Sequence, residues 1–561
     1  MTKNNEYDAI VVGSGITGGW AAKELTEQGL KTLVLERGRD VKHIEDYPTA
    51  TKNPWEFPHG SKITRETRQK HPVQCTNYAF NEATKHFFVN DLENPFSHAE
   101  DKPYRWIRGY QVGGKSMLWA RQSYRFSDHD FEANLKDGNG VDWPIRYKDL
   151  EPWYDYVEQF IGVSGQNAGL EQLPDGKFQP PMEFKCGELE MKKAVEKNWS
   201  DRKVIIGRTA NLTQPLPGRS ACQYRNMCAR GCPFGASFTS NSSTLPAAYK
   251  TGNLTLRPYS TVHSLIYDLE KDKVTGVRVI DTQTGEHLEF YAKVIFLCAS
   301  TLNSTFLLMN SANSRFPEGL ANSSGALGHY LMDHHKDINA TARFDGFEDK
   351  TSYGQRPNAV LIPRFRNIKE SHPDFTRGYG IWGSAFRGAG NPNITHPGFG
   401  ADFKDSITQW GDWNMTLYAY GEILPNYNNR VELNHDLLDK WGLPTLKMTC
   451  EIGENEKAMR KDMLEQCGEV LEATGLKDIK LTDGDYVYGF SIHEMGTARM
   501  GRDPKSSVLN GFNQCHDIPN VFVTDGACMT SSAWQNPSLT FMALTARACH
   551  YAVDLLKKGE L

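Results

Sequence analysis

Near its N-terminus the chain reads YDAIVVGSGITGGWAAKELTEQGLKTLVLER, residues 7–37. The apolar run at 9–12 lacks helical spacing and predicts a short buried strand. Three glycines follow it in a G-x-G-x-x-G spacing, Gly13, Gly15 and Gly18. Apolar residues at helical spacing come next, and residues 32–35 predict a second strand that ends at Glu36. The order of strand, glycine turn, helix and strand predicts a helix packed against a parallel sheet.

This pattern is typical of dinucleotide binding. The first glycine permits a tight turn, the second lets a pyrophosphate approach the backbone, and the third allows close packing of helix and strand. N–H groups at the helix start, beside Ser14 and Thr17, hold the phosphate charge. Glu36, followed by Arg37, is placed to accept hydrogen bonds from an adenosine ribose, which argues against a 2′-phosphate. The segment therefore predicts a Rossmann-type domain for NAD or FAD, and it does not choose between the two.

Composition sets outer bounds on the architecture. The 561 residues suffice for two or three domains, and the 11 cysteines are too few for a disulfide scaffold. Net charge is −5 with no basic stripe, so nucleic acid is not an expected partner. We expect no transmembrane segment, because no apolar run approaches the length of a membrane span. The opening residues lead almost at once into the first strand and leave no room for a signal peptide.

Long insertions interrupt the predicted sheet, the first at residues 40–105, which read as a cap or interface region or as a long ordered loop. The glycine-rich loop at 109–120 lets the backbone approach a ligand, although a buried turn without a ligand has the same composition. Its candidate contacts are Gly113, Gly114, Ser116, Trp119 and Ala120. Three strand-like runs then resume the sheet, at 254–256, 274–279 and 294–298. The last of them leads through Ala299 into a predicted helix.

The sequence changes in character at about residue 336. At 413–420 apolar and polar residues alternate with period two, which predicts strands of a largely antiparallel sheet. Such a sheet suits a substrate domain, with a plain half-exposed sheet as the alternative. A helix is predicted at 455–475. We therefore divide the chain into a discontinuous nucleotide-binding domain, 1–335 with 495–561, and a substrate-binding domain, 336–494.

Three cysteines, Cys222, Cys228 and Cys232, lie in one loop at about 220–236, and a proline follows the last. Thiolates are soft ligands that suit iron–sulfur clusters and zinc. A structural zinc site takes four protein ligands, and no further cysteine or histidine follows before His263. The loop therefore favours a three-iron cluster, or a four-iron cluster completed from elsewhere, over three unrelated free thiols.

Two segments near the C-terminus supply candidate catalytic groups. The segment SIHEMGTARMG contains His493, although a lone histidine is more often structural than catalytic. A predicted strand then runs into Asp525 and Gly526, a turn suited to a diphosphate or ribityl chain. Asn536 and Pro537 predict the N-cap and first residue of the last helix. Such a helix start presents partial positive charge to an anion, as would suit a reduced flavin.

Together, the N-terminal glycine loop, the 109–120 loop, HEMGTARMG and the C-terminal DGA…NPSLTFMAL resemble the glucose–methanol–choline (GMC) flavoprotein oxidoreductases. The resemblance spans both termini and the middle of the chain, and it implies the GMC fold with FAD as cofactor. It implies non-covalent FAD, because the histidine that some members use for attachment has no counterpart near 113–119. It further implies His493 as catalytic base, Asn536 as the group that orients the substrate hydroxyl, and Val262 as a further FAD contact.

The spacing of the three cysteines resembles that of family members with an iron–sulfur cluster, the catalytic subunits of bacterial glucose, gluconate, fructose and glucoside 3-dehydrogenases. This resemblance implies a [3Fe-4S] cluster and an electron-transfer dehydrogenase. It also implies two partners, a small subunit that carries an export signal and a cytochrome c acceptor. We therefore expect export to the bacterial periplasm, folded beside that subunit, with a cytoplasmic location as the alternative.

The overall pattern is most similar to the glucoside 3-dehydrogenase branch. This implies oxidation of a secondary ring hydroxyl of a sugar or glycoside, at C3, by hydride transfer to flavin N5. Oxidation of glucose at C1, of gluconate or of fructose is the alternative. Two other functional classes are alternatives: an oxygen-using oxidase with a metal-free cysteine loop, and a non-enzymatic electron carrier. Asp333, His334 and His335 could suggest a metal site, but we interpret them as a domain junction.

Overall fold

The computed structural model describes residues 5–389 and 399–561. The strands are β1 (Glu6–Val12), β2 (Thr32–Leu35), β3 (Ser97–His98), β4 (Ile205–Ile206), β5 (Leu254–Arg257), β6 (Ser260–Asp268), β7 (Lys273–Asp281), β8 (His287–Leu297), β9 (His334–Arg343), β10 (Val360–Ile362), β11 (Tyr379–Ala389), β12 (Trp410–Glu422), β13 (Arg430–Leu438), β14 (Pro444–Thr449), β15 (Lys477–Asp483) and β16 (Val521–Val523). The α-helices are α1 (Ile16–Glu27), α2 (Arg65–Lys70), α3 (Asp128–Phe131), α4 (Ala133–Asp137), α5 (Tyr147–Ile161), α6 (Cys186–Asn198), α7 (Thr244–Lys250), α8 (Thr301–Met309), α9 (Gly400–Thr408), α10 (Glu454–Ala473) and α11 (Ser538–Lys558).

The first sheet is built from both ends of the chain. Its strand order is β5-β2-β1-β8-β7-β6, and β16 pairs with the end of β8. Strands β5, β2, β1, β8 and β16 are parallel, whereas β7 and β6 form an antiparallel extension. The predicted sheet that begins near residue 8 and resumes after residue 250 is thereby confirmed.

Strand β1 is covered on both faces, which explains its unbroken apolar run. Ile10 and Val12 pack into one core cluster, whereas Ala9 and Val11 pack into a second cluster on the opposite face. The second cluster also contains apolar residues of α1, α7 and α11. A strand buried on both faces has no reason to alternate with polar residues.

The second sheet has the order β15-β9-β12-β11-β10-β4, and all of its pairings are antiparallel, as predicted. Four apolar residues of β12 are buried in a core shared with α10: Trp413, Met415, Leu417 and Ala419. Tyr418 and Tyr420 alternate with them and line a cavity. Strand β4 and helix α6 also pack in this layer although they precede residue 336. The domain boundaries stay a prediction.

Two elements differ from the expectations. Strand β6 has no counterpart among the predicted strands. The last helix begins at Ser538, with Pro537 at the N-cap position and no side-chain cap. The prediction that Asn536 caps this helix is therefore wrong, because its amide binds Tyr420 and His493 instead.

The insertion at 40–105 is largely irregular, as expected. Its regular elements in the described part are α2, β3 and a few single turns. None of the described helices combines the length and the apolar content that crossing a membrane requires.

Candidate active site

A cavity of about 800 Å³ is lined by the N-terminal glycine loop on one side and by the antiparallel sheet on the other. Most of the predicted site residues line it: Gly13, Ser14, Gly15, Thr17, Glu36, Arg37, Gly114, Ser116, Trp119, Ala120, Val262, Ala299, His493, Asp525, Gly526 and Asn536. Gly18, Gly113 and Pro537 are not among the lining residues: Gly18 lies in the first turn of α1, and Gly113 and Pro537 are the N-cap residues of a single turn and of α11.

The glycine loop has the shape of an anion cradle. A Cβ atom at Gly18 would lie 1.9 Å from the carbonyl oxygen of Gly13, so only glycine permits this turn. Gly15 meets no atom within 4 Å of its would-be Cβ, and that open side is where a ligand can approach the backbone. Gly15 is the N-cap residue of α1, which has no side-chain cap and no acidic residue in its first turn. Its free N–H groups therefore fit a diphosphate.

Glu36 is fixed at the end of β2. Its carboxylate accepts hydrogen bonds from Ser14 Oγ (2.6 Å), the Ser14 N–H (3.1 Å) and the Gly38 N–H (2.9 Å). Burial raises the pKa of Glu36, although these three donors oppose the change. The N–H of Gly113 in turn donates to Ser14 Oγ at 3.0 Å, which ties the 109–120 loop to the glycine loop. Arg37 stacks on the ring of Tyr110 at 4.1 Å.

Asp525 occupies the carboxyl end of β16. It accepts hydrogen bonds from Ser304 Oγ at 2.5 Å and from the N–H of Ala527 at 3.1 Å, and burial raises its pKa to about 6. Helix α11 then starts without a side-chain cap or an acidic residue in its first turn, and Ser538 lines the cavity. Partial positive charge at this helix start suits an anionic ring system. Together with the glycine loop and Glu36, these groups fit FAD.

His493 and Asn536 meet at the cavity wall. Asn536 Oδ1 accepts a hydrogen bond from Tyr420 Oη at 2.6 Å, so its Nδ2 faces His493 Nε2, 3.3 Å away. Burial lowers the pKa of His493 well below 6.5, and the positive charges of Lys336 and Lys115 lower it further. The imidazole is therefore neutral at pH 7, as a general base must be.

Asp333 holds the catalytic loop, a role that the interpretation as a domain junction did not include. Its carboxylate accepts the N–H groups of Ser491 (3.1 Å) and His493 (3.0 Å). Between them, Ile492 has a φ of +65°, which is unfavourable for a β-branched residue. Strain of this kind persists where the surroundings enforce it, so the position of His493 is fixed in advance.

The three loop cysteines are half-buried and form no disulfide. Burial, together with the proximity of Cys228 and Cys232, raises the pKa of Cys222 to about 11. Among residues 5–389 and 399–561, no three His, Cys, Asp or Glu side chains are grouped to hold a metal ion. The structure therefore gives no single-ion site here, and the predicted cluster is not confirmed. In a cluster each thiolate binds a different iron atom, so the sulfurs need not converge on one point.

The surroundings of the cysteine loop are rich in unpaired donors. Four buried groups there have no hydrogen-bond partner in the described part of the chain: Arg121 Nε, Asn211 Nδ2, Arg219 Nη2 and Ser237 Oγ. Arg121 lies beside Cys228, and Arg219 beside Cys232. Asn211 and Ser237 approach Cys228 closely enough to lower its pKa, although neither makes a hydrogen bond of ordinary geometry. Buried donors without acceptors fit an anionic group in this loop.

Comparison with known proteins identifies the family. The GMC oxidoreductase N-terminal model matches residues 7–336, and the C-terminal model matches residues 425–545. The chain belongs to the GMC oxidoreductase family, and it is an FAD-dependent flavoprotein that acts on CH–OH groups.

Its relatives match along nearly their whole length. The 2-methyl-1,2-propanediol dehydrogenase of Mycolicibacterium austroafricanum is 29% identical over 98% of this chain and 96% of its own. The fructose dehydrogenase large subunit of Gluconobacter japonicus is 28% identical over 98% of each chain. The gluconate 2-dehydrogenase flavoprotein of Pantoea cypripedii is 24% identical over 96% of this chain and 92% of its own. The structure of pyridoxine 4-oxidase from Mesorbium loti shares the fold, with a TM-score of 0.61, 16% identity and coverage of 98% and 99%.

Proposed function

We propose that this chain is an FAD-dependent dehydrogenase that oxidises a secondary hydroxyl of a sugar or glycoside, with C3 of a glucoside as the specific site. The observation that carries the proposal is the pair formed by His493 Nε2 and Asn536 Nδ2, 3.3 Å apart at the cavity wall. FAD bound without covalent attachment in this cavity would take up the hydride at N5.

The protein's own residues manage the proton and the substrate oxygen. Neutral His493 accepts the hydroxyl proton at Nε2. Asn536 Nδ2 carries two N–H groups, so it donates one to the substrate oxygen while the other faces His493. Because Tyr420 holds the other end of the amide, Asn536 has a fixed orientation before the substrate arrives.

Polar groups of the cavity support a polyhydroxylated substrate. Asn358 Oδ1 is buried without a hydrogen-bond partner in the described part of the chain, and Asn358 lines the cavity. Gln122, Asn339 and Ser384 line it as well. A substrate hydroxyl that donates to Asn358 would remove the cost of an unpaired acceptor. Two relatives named for fructose and gluconate also support a sugar. Fructose, gluconate, or glucose at C1 is the alternative substrate.

Anaerobic flavin reduction tests this proposal. We expect methyl α-glucoside to bleach the flavin faster than glucose, gluconate or fructose, and to give the 3-keto product. If only another sugar of the panel bleached the flavin, that sugar would replace the glucoside as the proposed substrate. If none of them did, the proposal of a sugar dehydrogenase would be contradicted. His493→Ala should remove bleaching while FAD content stays, and an unchanged rate would contradict the role of His493.

We further propose that Cys222, Cys228 and Cys232 bind a [3Fe-4S] cluster. The unpaired buried donors around the loop support this assignment, because they would compensate the negative charge of thiolates and sulfides. Arg121 and Tyr78 line the cavity and also lie beside Cys228, so the loop adjoins the flavin site. A cluster there would pass electrons singly to an acceptor outside the protein.

Iron and sulfide content and the visible spectrum test the cluster. We expect a broad brown absorbance over the flavin bands, lost in Cys228→Ser and kept in Cys75→Ser, a free cysteine outside the loop. Flavin bands alone in the wild-type protein would contradict the cluster and favour an oxygen-using oxidase.

We also propose that the chain works with a small subunit that carries an export signal and with a cytochrome c acceptor in the periplasm. The names of two relatives, the large subunit of fructose dehydrogenase and the flavoprotein of gluconate 2-dehydrogenase, support a multi-subunit enzyme. Expression with the neighbouring gene followed by cell fractionation should place activity in the periplasm. An active complex found only in the cytoplasm would contradict export.

A further inference from the structure

We propose that His334 is a positioning residue that fixes the proton of His493 on Nδ1 and so leaves Nε2 free to act as the base. This inference rests on the base role of His493 in the proposed function. It assigns a function to a histidine that the sequence places only in an Asp-His-His segment, at the start of β9.

Ala533, His334 and His493 form a chain of hydrogen bonds, and the carbonyl oxygen of Ala533 at one end fixes the direction of each bond. His334 Nε2 lies 2.8 Å from the carbonyl oxygen of Ala533, and His334 Nδ1 lies 2.9 Å from Nδ1 of His493. A carbonyl oxygen only accepts, so Nε2 of His334 carries the proton and donates it. In a neutral ring the other nitrogen then has a lone pair. His493 Nδ1 must therefore donate to it, and His493 Nε2 is left unprotonated.

The environment of His334 keeps its imidazole ring neutral. The side chain is fully buried at the start of β9, and burial lowers its pKa to about 4, with a smaller contribution from Lys336. A charged ring would put two N–H donors on His334, and its Nδ1 would then repel the donor on His493. The burial of His334 and the short contact between the two Nδ1 atoms therefore both support protons on Nε2 of His334 and on Nδ1 of His493.

The same arrangement survives proton transfer. When the substrate hydroxyl delivers its proton to Nε2 of His493, the N–H of Asn536 that faces Nε2 gives way, whereas Nδ1–H of His493 still points at the lone pair of His334. Pairing of this kind selects one tautomer and stabilises the imidazolium that forms.

The main chain fixes both imidazoles. Ala533, the acceptor, has a φ of +53°, and Ile492, next to His493, has a φ of +65°. Non-glycine residues keep this conformation only where the fold enforces it. Ser491 Oγ also donates to the carbonyl oxygen of His334 at 2.6 Å, which joins the two segments directly.

Three variants separate positioning from general damage. His334→Leu removes the acceptor for His493, whereas His334→Asn can place Oδ1 near the position of Nδ1. His335→Leu is the matched control, because His335 is the adjacent residue, is equally buried and makes no side-chain hydrogen bond within the described residues.

With the panel sugar that reduces the wild-type flavin fastest, we expect His334→Leu to lower kcat about 100-fold with KM little changed. His334→Asn should recover most of that loss, and His335→Leu should stay within about threefold of the wild type. Equal losses in the two His334 variants, or as large a loss in His335→Leu, would overturn the inference. FAD content and unfolding midpoint, measured for all three, identify any variant that fails to fold.

Neutron diffraction of the holoenzyme in D₂O reads the protons directly and needs no turnover. We expect deuterons on Nε2 of His334 and Nδ1 of His493, and none on Nε2 of His493. A deuteron on Nε2 of His493 would overturn the inference even in a fully active dehydrogenase. Loss of sugar oxidation as a whole would instead contradict the proposed function and leave this result standing.

Discussion

Burial keeps the His493 imidazole neutral at pH values where an exposed histidine takes up a proton. Its pKa lies well below 6.5, first because the ring is desolvated and then because of the positive charges of Lys336 and Lys115. Since the base form is the active one, flavin reduction should keep its rate as the pH falls through 6.5. Stopped-flow measurements across the acid range check this, and an apparent pKa of 6.5 or higher would contradict it.

A second titration near the same loop needs a control. Burial raises the pKa of Asp333 to about 6, helped by Glu494, and its carboxylate binds the N–H of His493. Protonation there would loosen the catalytic loop. A step in the rate near pH 6 that disappears in Asp333→Asn therefore belongs to Asp333 and not to the base.

Asn358 should recognise one hydroxyl of the substrate. Its Oδ1 is buried and unpaired within the described residues, so Asn358→Ala should lower kcat/KM by roughly 10- to 100-fold, about 1.4–2.7 kcal/mol. A series of deoxyglucosides supplies the control. The effect of the substitution should vanish for the analogue that lacks the partner hydroxyl, and a loss of the same size for every analogue would show a general structural effect.

At the residue scale, the sequence predicts the reacting pair but not what holds it. His493 and Asn536 follow from motifs that resemble those of a known family. Tyr420, Asp333 and His334 do not, because each acts across a contact with a residue far away in the chain. Nothing local distinguishes Tyr420 from Tyr418, which has the same orientation in β12.

At the scale of elements, two glycines at the junction of β1 and α1 serve different purposes: Gly15 leaves room for the ligand, and Gly18 allows the chain to fold. A methyl group at Gly15 enters open space, so Gly15→Ala should leave apoprotein stability unchanged and weaken FAD binding at least about tenfold, about 1.4 kcal/mol. At Gly18 the same methyl group would collide with the backbone of Gly13, so Gly18→Ala should destabilise the apoprotein by about 1–3 kcal/mol. Urea unfolding and FAD titration of both variants check this, and equal loss of stability in the two would contradict it.

The spacing of apolar residues predicted the elements that are buried on one face only or on all faces. Strand β12 and helix α10 follow from their patterns, as does β1. Strand β6 was not predicted. Only Pro258 and Tyr259 separate it from β5, so the sequence gives little sign that a new strand begins, and its position depends on pairing with β7. The start of α11 was predicted one residue too early, because asparagine favours the N-cap position but Asn536 instead binds Tyr420 and His493 in the active site.

At the scale of the whole molecule, a buried ionic cluster joins α1 to α5 and α11. Glu24 binds Lys23 at 2.9 Å, Tyr156 Oη at 2.8 Å and His550 Nε2 at 2.9 Å. Glu24→Gln would leave the buried Lys23 with Glu27 as its remaining carboxylate partner and should lower the free energy of unfolding by about 3 kcal/mol. Chemical denaturation at pH 7 measures the effect.

The pH dependence of this effect has a definite sign. Burial raises the pKa of Glu24, but His550 and Lys23 more than offset this and place it below 4.5. The stabilisation is therefore fully present above pH 4.5 and is lost as the pH falls below it. The control is Glu66→Gln, which breaks an exposed pair with Lys70 and should leave the unfolding midpoint unchanged. A comparable loss in both variants would contradict the importance of burial.

The first sheet also constrains when the protein becomes able to hold its cofactor during synthesis. Strand β1 leaves the ribosome first, yet its neighbour β8 lies near residue 290 and β16 beyond residue 520. Strand β1 can pair with β2 and β8 once residue 297 has been translated, but the glycine loop faces an incomplete cofactor site until Asp525 and the start of α11 follow. Flavin capture therefore depends on residues more than 500 positions after the glycine loop, and a chain that stops before residue 525 lacks the Asp525 and α11 side of the cavity.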